Sequence, residues 1–407
     1  MRKILIAGFL CLVLGFALSG GASQNRGEEP EIVRFNRIFQ EIQAKILQAQ
    51  ASGSVLAEVQ VMKALEAEYA GQEEALGVLR AVLAQRLPLV GDYAGAHRSY
   101  DLAQGRPSGQ SPPAFFGVPE GYAPVDAIEA IAAAAASRQV VMINEAHHVP
   151  QHRAFTLQLL YALRKQGFTY FAAEAFMHDP QLSERGYPTR ATGTYVSEPV
   201  FGDLVRTALR LGYKTVPYET ESGDSREARE RDQARHLVER ILARDPKARV
   251  LVHAGHGHIS ETPGRVKMMA AMFREMTGID PFTINQEWMT ERSAPEHEQM
   301  VYRWATERGL VTRPVVFRRG TAEFWSLSDS ADVALFHPRS RYEHGRPDWL
   351  RMGGLRSPFP LPEGVCGPAF PLPEGVSSQA PACLVKARPA REGADTIPID
   401  QIAVEAC

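Results

Sequence analysis

Carboxylates and imidazoles follow apolar runs at widely separated places in this sequence. They are Glu145, His147 and His148 after QVVMIN, Glu174 within FTYFAAEAF, and His253, His256 and His258 in ARVLVHAGHGH. A histidine can take a proton from water as a general base, while a carboxylate orients the imidazole or stabilises charge. Two histidines and a carboxylate can instead bind a divalent metal, which lowers the pKa of bound water. Both chemistries favour hydrolysis by an activated water.

Local context helps to separate functional residues from structural ones. Glu174 lies between apolar residues, where an unpaired carboxylate costs several kcal/mol, so it needs an ion pair or a site. A Glu directly after a strand, such as Glu145, is also typical of the first turn of a helix, where negative charge is favoured. His256 and His258 are flanked by glycines, which let the backbone approach a ligand closely, so we expect at least one to be functional. His253, inside its run, is predicted to be a core histidine.

The spacing of the histidines does not define a metal site. The candidate ligands of a divalent metal are Glu145, His147, Glu174 and His258. The pair HH, followed much later by HGH, is not a zinc motif such as HExxH. The sequence also has no P-loop, no GxGxxG and no GxSxG elbow. Whether a metal takes part is therefore left open.

The runs that carry these residues predict an α/β fold with a mainly parallel sheet and flanking helices. From Val125 onward, β-rich runs alternate with helical segments, predicted at 150–166, 200–211, 226–244 and 266–277. Ligands of parallel sheets bind beyond the carboxyl ends of the strands, so we expect the ionisable residues to meet there. Further polar residues at predicted strand ends are Tyr218, Glu219, Asn285, Gln286, Glu287, His337 and Arg339.

Other regions precede and follow this predicted domain, which spans 122–350. Apolar residues at helical spacing over 31–103 predict a helical N-terminal region, in which 89–103 resembles one tetratricopeptide helix but fits an ordinary helical hairpin better. A stretch rich in Pro, Gly and Ser at 104–121 predicts a linker. The Pro-rich tail, 351–407, contains FPLPEGV twice, and ACLVKARPA and DTIPIDQIAVEA are predicted edge strands.

The N-terminus has the pattern of a secretory signal. Arg2 and Lys3 precede an apolar run, and small residues follow it, so we predict cleavage of residues 1–22. The run is shorter than the roughly 20 residues of a membrane span, and no other stretch is apolar enough. We therefore expect export to the periplasm or beyond. Oxidising conditions there favour a disulfide between two of Cys366, Cys383 and Cys407.

Length and charge exclude some classes of function. At 407 residues the chain is long enough for two or three domains. With 45 Lys and Arg against 47 Asp and Glu, its net charge is −2, which gives no electrostatic support for a nucleic-acid partner. A small molecule or a peptide is the partner that these features favour, and the oligomeric state is left open.

Two blocks of the chain resemble the erythromycin-esterase/ChaN-like/Tiki superfamily. VVMINEAHH through FAAEAF is similar to its first block, a strand, a Gly-Glu-x-His or Gly-Glu-x-x-His motif, a helix and a strand ending in an apolar-flanked Glu. ERDQARHLVERILARDPKARVLVHAGHGHI is similar to a later block, in which an Arg-Asp pair opens a helix before a His-rich turn. The resemblance covers roughly 127–259. Asn144 stands where the superfamily usually has Gly.

The resemblance implies site residues by position, and its branches imply different chemistry. The implied residues are Glu145, Glu174, the pair Arg231 and Asp232, and His256 or His258. An esterase-like spacing selects His148 as the proximal histidine, whereas a ChaN-like spacing selects His147. Esterase-like members use a His base without metal, and Tiki-like members are metal-dependent peptidases. ChaN-like members bind haem, for which Tyr218 is a candidate ligand here.

Together these observations predict an exported, hydrolase-like α/β protein that acts on an ester or a peptide. The predicted roles are water activation by His147 or His148, orientation by Glu145 and Glu174, polarisation of the scissile group by His256 or His258, and pairing of Arg231 with a carboxylate. Two alternatives stay open. One is a protein that binds haem or another iron ligand, and the other is a non-catalytic interaction module.

Overall fold

The computed structural model describes residues 31–104, 117–220, 225–262, 264–358 and 383–404. The predicted signal, most of the predicted linker, both FPLPEGV copies, Cys366 and Cys407 lie outside these residues, and so does any disulfide pairing that involves those two cysteines. Across the described ranges, no helix combines the length and the apolar character that a membrane crossing requires.

One sheet of nine strands organises the described part of the α/β region. Its strands are β1 (Ala123–Asp126), β2 (Val140–Glu145), β3 (Tyr170–Ala173), β4 (Lys214–Pro217), β5 (Val250–Gly255), β6 (Phe282–Met289), β7 (Val315–Arg319), β8 (Glu323–Phe324) and β9 (Val333–Phe336). The order is β1-β7-β9-β6-β2-β5-β3-β4, with β8 beside β7. All pairs from β9 to β4 are parallel, while β7 is antiparallel to its neighbours. The predicted α/β class with a mainly parallel sheet is confirmed.

Helices cover the sheet and form a separate N-terminal region. They are α1 (Glu31–Ala51), α2 (Val55–Glu68), α3 (Glu73–Arg86), α4 (Tyr93–Gln104), α5 (Ala127–Ala135), α6 (Pro150–Lys165), α7 (Leu182–Arg185), α8 (Pro199–Arg210), α9 (Arg226–Leu237), α10 (Met269–Thr277) and α11 (Met300–Glu307). The segment predicted as one helix over 226–244 changes at Val238–Leu242 into a π-helical turn.

Strand β2 shows why the sheet is covered on both faces. Its successive side chains point to opposite faces, because a strand alternates with a period of two. Val141 and Ile143 belong to a core that includes residues of α5, α6 and α8, whereas Val140 and Met142 belong to one that includes residues of α9 and α10. A strand that is buried on both faces reads as a continuous apolar run, as QVVMIN does.

The N-terminal helices have a core of their own, and the end of the chain packs against it. Apolar residues of α1 to α4 form this core, and Leu384 and Ala403 contact it. Those two residues lie on β12 (Cys383–Ala387) and β13 (Asp400–Val404), which pair with each other in antiparallel register. The two predicted edge strands therefore form their own two-stranded sheet. A second small hairpin consists of β10 (Tyr342–Glu343) and β11 (Arg346–Pro347).

Candidate active site

The strand register brings the ends of β2, β3 and β5 to the same level. Glu145, the last residue of β2, pairs with Gly255, the last residue of β5. Ala173, the last residue of β3, pairs with His253, so Glu174 follows at the same edge. A short 3-10 turn, His256–Ile259, continues directly from β5. The polar cluster described below consists of Glu145, His147, Arg153, Glu174, Arg229, His253, His256 and His258.

Glu145 lies at the centre of the polar cluster. Its side chain is 2% exposed. Arg153 on α6 donates to both carboxylate oxygens, with Nε 2.6 Å from Oε2 and Nη2 2.7 Å from Oε1. His253 Nε2 lies 2.8 Å from Oε2. Burial on its own would raise the pKa of Glu145, but the Arg153 guanidinium holds that pKa well below its usual range. Glu145 is therefore a permanent carboxylate.

Glu145 also fixes the tautomer of His147. His147 Nδ1 lies 2.9 Å from Glu145 Oε1, and because that carboxylate is ionised, Nδ1 must carry the proton and donate it. Nε2 then presents a lone pair, and it makes no hydrogen bond to the described residues. The ring is 10% exposed and stacks on Tyr195, with centroids 4.1 Å apart and planes 14° apart. Burial lowers the pKa of His147 more than Glu145 raises it, so the imidazole is neutral near pH 7.

The pKa of His256, which lies beside His147, is raised rather than lowered. Its Nδ1 lies 2.9 Å from Glu287 Oε1, and burial lowers its pKa less than the Glu287 charge and hydrogen bond raise it. The side chain is 38% exposed, and its ring centroid lies 4.8 Å from that of His147. The backbone φ of His256 is +39°, a left-handed value that costs free energy in a residue with a Cβ. Two adjacent imidazoles thus have pKa values moved in opposite directions.

Glu174 and His258 form the inner wall of the polar cluster. Glu174 accepts the Gly255 backbone N–H at 2.6 Å and pairs with Arg229 Nη2 at 2.8 Å, and His258 Nε2 lies 3.5 Å from its Oε1. Burial would raise the Glu174 pKa, but His258 and Arg229 hold it well below its usual range. Burial lowers the His258 pKa, but Glu174 and Glu230 raise it to about 10. His258 is therefore a buried cation at neutral pH.

The two glycines of the HAGHGH segment have different roles. A Cβ on Gly255 would lie 2.3 Å from His147 Cε1, 2.6 Å from His147 Nε2 and 2.9 Å from Glu174 Oε2. A Cβ on Gly257 would meet only Met268 Cε at 3.6 Å, an ordinary contact. Glycine at position 255 therefore makes room for two side chains of the polar cluster.

Several of the candidate residues lie outside the polar cluster, among them Asp232, which pairs with Arg235 at 2.9 Å. His148 points away from it, and its ring stacks on Tyr100 of α4 at 3.8 Å. Arg231 is exposed and pairs with Glu227 at 3.1 Å, so it does not reach a carboxylate of the site. Its predicted role is filled by Arg229. Tyr218 is fully buried, and its hydroxyl donates to the carbonyl oxygen of His253 at 3.1 Å.

Arg153, Arg229 and Tyr195 were not among the predicted site residues. His253 was predicted to be a core histidine. His253 is buried as predicted, yet it contacts Glu145 directly. Arg153 did leave a signal, since it occupies the same helical stripe as two buried leucines of α6. An arginine on the apolar stripe of a helix needs a buried counter-charge, and Glu145 precedes it by only eight residues. Tyr195 left no comparable signal.

The carboxylates of the polar cluster are poorly suited to a metal as the structure arranges them. Within the ranges described, no group of three or more His, Cys, Asp or Glu side chains is placed to hold a metal ion. Guanidinium groups of Arg153 and Arg229 already occupy Glu145 and Glu174. A divalent cation beside them would face these positive charges at short range. The candidate ligand set therefore does not fit a divalent metal.

Comparisons with known proteins do not assign a family to this chain. No family model matches it, and no curated protein sequence matches it either. Among solved structures, the type III effector HopBA1 is similar over 54% of this chain and 99% of that chain, with 12% sequence identity and a TM-score of 0.32. A likeness at that TM-score carries no argument, so the function must be inferred from the site itself.

Proposed function

We propose that this protein is an acid–base hydrolase in which His147 is the general base and His256 the general acid. The observation that carries the proposal is the pair of imidazoles, with ring centroids 4.8 Å apart and pKa values moved in opposite directions. Neighbouring titratable groups whose environments separate their pKa values are the usual arrangement of an acid and a base that work together. Both side chains reach solvent, so a substrate has access to them.

The proposed reaction needs only the side chains of the site and one water. His147 Nε2 takes a proton from the water as its oxygen bonds to the carbonyl carbon of an ester or amide. The imidazolium that forms is stabilised by Glu145, which already accepts the Nδ1 proton. When the tetrahedral intermediate collapses, the bond to the leaving group breaks and His256 protonates that group. A proton then passes from His147 to His256 through solvent, which restores both residues.

Neighbouring residues orient the two imidazoles and favour the protonation state that each proposed role requires. Arg153 keeps Glu145 ionised and oriented, so the proton of His147 stays on Nδ1 and Nε2 stays available. The stacked ring of Tyr195 limits rotation of the imidazole. Glu287 favours the protonated form of His256. Each of these residues acts by orienting or charging one of the two imidazoles.

The resemblance to the erythromycin-esterase/ChaN-like/Tiki superfamily agrees with this proposal, and we include it as a hypothesis. Its esterase-like branch uses a histidine base without metal, which suits carboxylates that are already paired with arginines. The proximal histidine inferred here is His147, the position that the ChaN-like spacing selects. Export to the periplasm or beyond is part of the same hypothesis. Tyr218, the candidate haem ligand, is buried and donates its hydroxyl to a backbone carbonyl, so this residue does not favour the haem alternative.

A substrate panel with histidine variants tests the proposal. Purified protein is assayed against chromogenic esters and peptides as wild type, His147→Gln, His256→Gln and the control His178→Gln, which changes an exposed histidine. We expect each site variant to lose about 10²- to 10⁴-fold in turnover, and the control to match wild type. Turnover of wild type should rise as His147 loses its proton below pH 6.5 and fall as His256 loses its proton above pH 6.5. No hydrolysis of any substrate, or full turnover by His147→Gln, would overturn the proposal.

A further inference from the structure

A cavity of about 540 Å³ lies where three separate parts of the chain meet, and no residue of the polar cluster lines it. Val55 and Glu58 of α2 line it, together with Arg86 at the end of α3 and Leu89 just after that helix. The other lining residues come from the segment 189–197 before α8 and from β12, β13 and the loop between them. Its volume lies within the roughly 300–1,000 Å³ that is common for small-molecule sites.

The wall of this cavity is well ordered by backbone contacts. Thr189 and Thr396 form an antiparallel bridge, and the Ile397 N–H donates to the Pro188 carbonyl at 3.1 Å. The side chains of both threonines are buried. Arg206 on α8 donates to Glu392 Oε1 at 2.8 Å and so anchors the β12–β13 loop from behind. The chain segments around the cavity are therefore held together before any ligand binds.

The charges around the cavity are unbalanced. Four cations line it, Arg86, Arg190, Lys386 and Arg388, against two carboxylates, Glu58 and Asp395. Arg86 lies 3.7 Å from Glu58. Within the described part of the chain, none of the other three cations has a carboxylate within ion-pair distance. This local excess of positive charge contrasts with the net charge of −2 of the whole chain.

The unpaired cations are close enough to repel one another. Burial, and then the charges of Arg388 and Arg190, lower the pKa of the Lys386 ammonium. The two arginines instead donate to backbone carbonyls, Arg388 to Ala394 at 3.0 Å and Arg190 to Gly53 at 3.5 Å. The two carboxylates of the lining offset part of this charge, and the Arg190 charge acts on one of them, Glu58. The cations that remain in excess repel one another, which favours entry of an anion into the cavity.

We infer that this cavity binds a small molecule that carries two or more anionic groups, phosphate or carboxylate. Lys386, Arg388 and Arg190 would contact these groups, and the apolar lining residues Val55, Leu89 and Ile397 would contact an apolar part of the molecule. Arginine suits phosphate and carboxylate because its planar group donates two parallel hydrogen bonds. This inference does not rest on the proposed hydrolase, because no residue of the polar cluster lines the cavity.

Calorimetric titration of the full chain tests the inference, with inorganic pyrophosphate and citrate as probes and acetate as a control at equal ionic strength. We expect at least one of the two probes to bind, and the one that binds more tightly identifies phosphate or carboxylate as the preferred group. The variants are Lys386→Gln and Arg388→Gln, and the matched control is Arg391→Gln, an exposed arginine of the same loop that does not line the cavity.

Each cavity variant should weaken binding about tenfold or more, while Arg391→Gln should bind like wild type. Without anion, Lys386→Gln should not lower the thermal midpoint, because it removes repulsion rather than an ion pair, whereas Arg388→Gln also removes the hydrogen bond to Ala394. That comparison separates loss of a binding group from loss of the fold. Failure of both probes to bind at millimolar concentration in low salt would overturn the inference. Equal weakening by Arg391→Gln would overturn it too, because binding would then follow net charge alone.

Discussion

His147 and His148 are neighbours in sequence, but His147 lies in a region of buried ion pairs and His148 in a region of packed aromatic rings. His147 belongs to the polar cluster, where the two buried glutamates, at 145 and 174, each have a cation as partner. His148 faces α4 and packs against Tyr100 and His97. We call this contact between His148 and α4 the interface. In this second region, His97 Nδ1 and His148 Nε2 are buried without a hydrogen bond to the described residues.

The comparison shows that burial alone does not decide the charge of a histidine. His97 and His258 are both buried, yet burial lowers the pKa of His97 to about 4, whereas nearby carboxylates raise that of His258 to about 10. His97 also has a carboxylate near it, Asp101, but Arg292 and the Ser293 hydroxyl already engage that group. At His97 the Asp101 charge raises the pKa, but burial and the Arg292 charge outweigh it, whereas at His258 two carboxylates, Glu174 and Glu230, outweigh burial.

Removing the Arg153 guanidinium from the polar cluster should have the largest effect on stability. Arg153→Met leaves two buried carboxylates, Glu145 and Glu198, without their guanidinium partner, and we expect a loss of about 3–5 kcal/mol. The control Arg231→Met breaks an exposed pair and should cost less than about 1 kcal/mol. Urea unfolding followed by circular dichroism measures both.

The double variant Arg153→Met/Glu145→Gln sharpens this test. It removes the Glu145 charge together with the cation and leaves Glu198 as the carboxylate without its guanidinium, so it should recover part of the lost stability. Equal stability of Arg153→Met and Arg231→Met would show that the pairing in the polar cluster contributes no more than a surface pair.

The two regions should give stability opposite dependences on pH. The His97 pKa is lowered from 6.5 to about 4, so its contribution is full above pH 6.5 and is lost as pH falls towards 4, by roughly 3 kcal/mol. The His258 pKa is raised to about 10, so its contribution is full below pH 6.5 and is lost as pH rises towards 10. Unfolding free energies measured from pH 4 to pH 10 test this.

Two variants test which residue causes the loss of stability at acid pH, the acid limb of the profile, and which causes the loss at alkaline pH, the alkaline limb. His97→Leu should reduce the slope of the acid limb without abolishing it, because His148, His152 and His337 also have lowered pKa values. His258→Gln should flatten the alkaline limb and leave the acid limb. Slopes are compared rather than absolute values, because both substitutions also change packing. An acid limb that keeps its slope in His97→Leu would assign it to other groups.

Much of the fold and part of the site could be predicted because both depend on the strands. Parallel strands end at one edge, so residues after β2, β3 and β5 had to converge, and Glu145, His147, Glu174, His256 and His258 do. The partners of these residues depend on which way helical side chains point, and that direction is set by packing. Arg153 and Arg229 were missed for this reason. The separate pairing of β12 with β13 likewise depends on the position of the N-terminal helices, far away in sequence.

The choice between His147 and His148 also depended on tertiary structure. Two spacings of the same motif selected different histidines, and the sequence near them does not decide between them. The deciding contact is made by α4, more than 40 positions earlier, where Tyr100 provides a flat partner for the His148 ring. His147 is thereby left to face Glu145.

A matched pair of glycine variants should have an intermediate effect. Gly255→Ala places a Cβ within 2.3 Å of the His147 ring, which must move, so we expect a loss of about 1–3 kcal/mol and a strong loss of turnover. Gly257→Ala meets only an ordinary contact with Met268 and should change both little. Thermal unfolding and the ester assay measure the pair. Equal effects of the two substitutions would contradict the role given to position 255.

The smallest expected effect comes from His148→Phe, and it bears most directly on the comparison between the two regions. Phenylalanine keeps a flat ring against Tyr100 and removes a buried nitrogen without a partner, so stability at pH 7 should be unchanged or rise by up to about 1 kcal/mol. Turnover should stay within a few-fold of wild type, because the His148 ring points away from the polar cluster. His147→Phe, the same substitution one residue earlier, should abolish turnover. If His148→Phe were the inactive variant instead, the catalytic base would be the histidine that the esterase-like spacing selects, and the interface would have to open during the reaction.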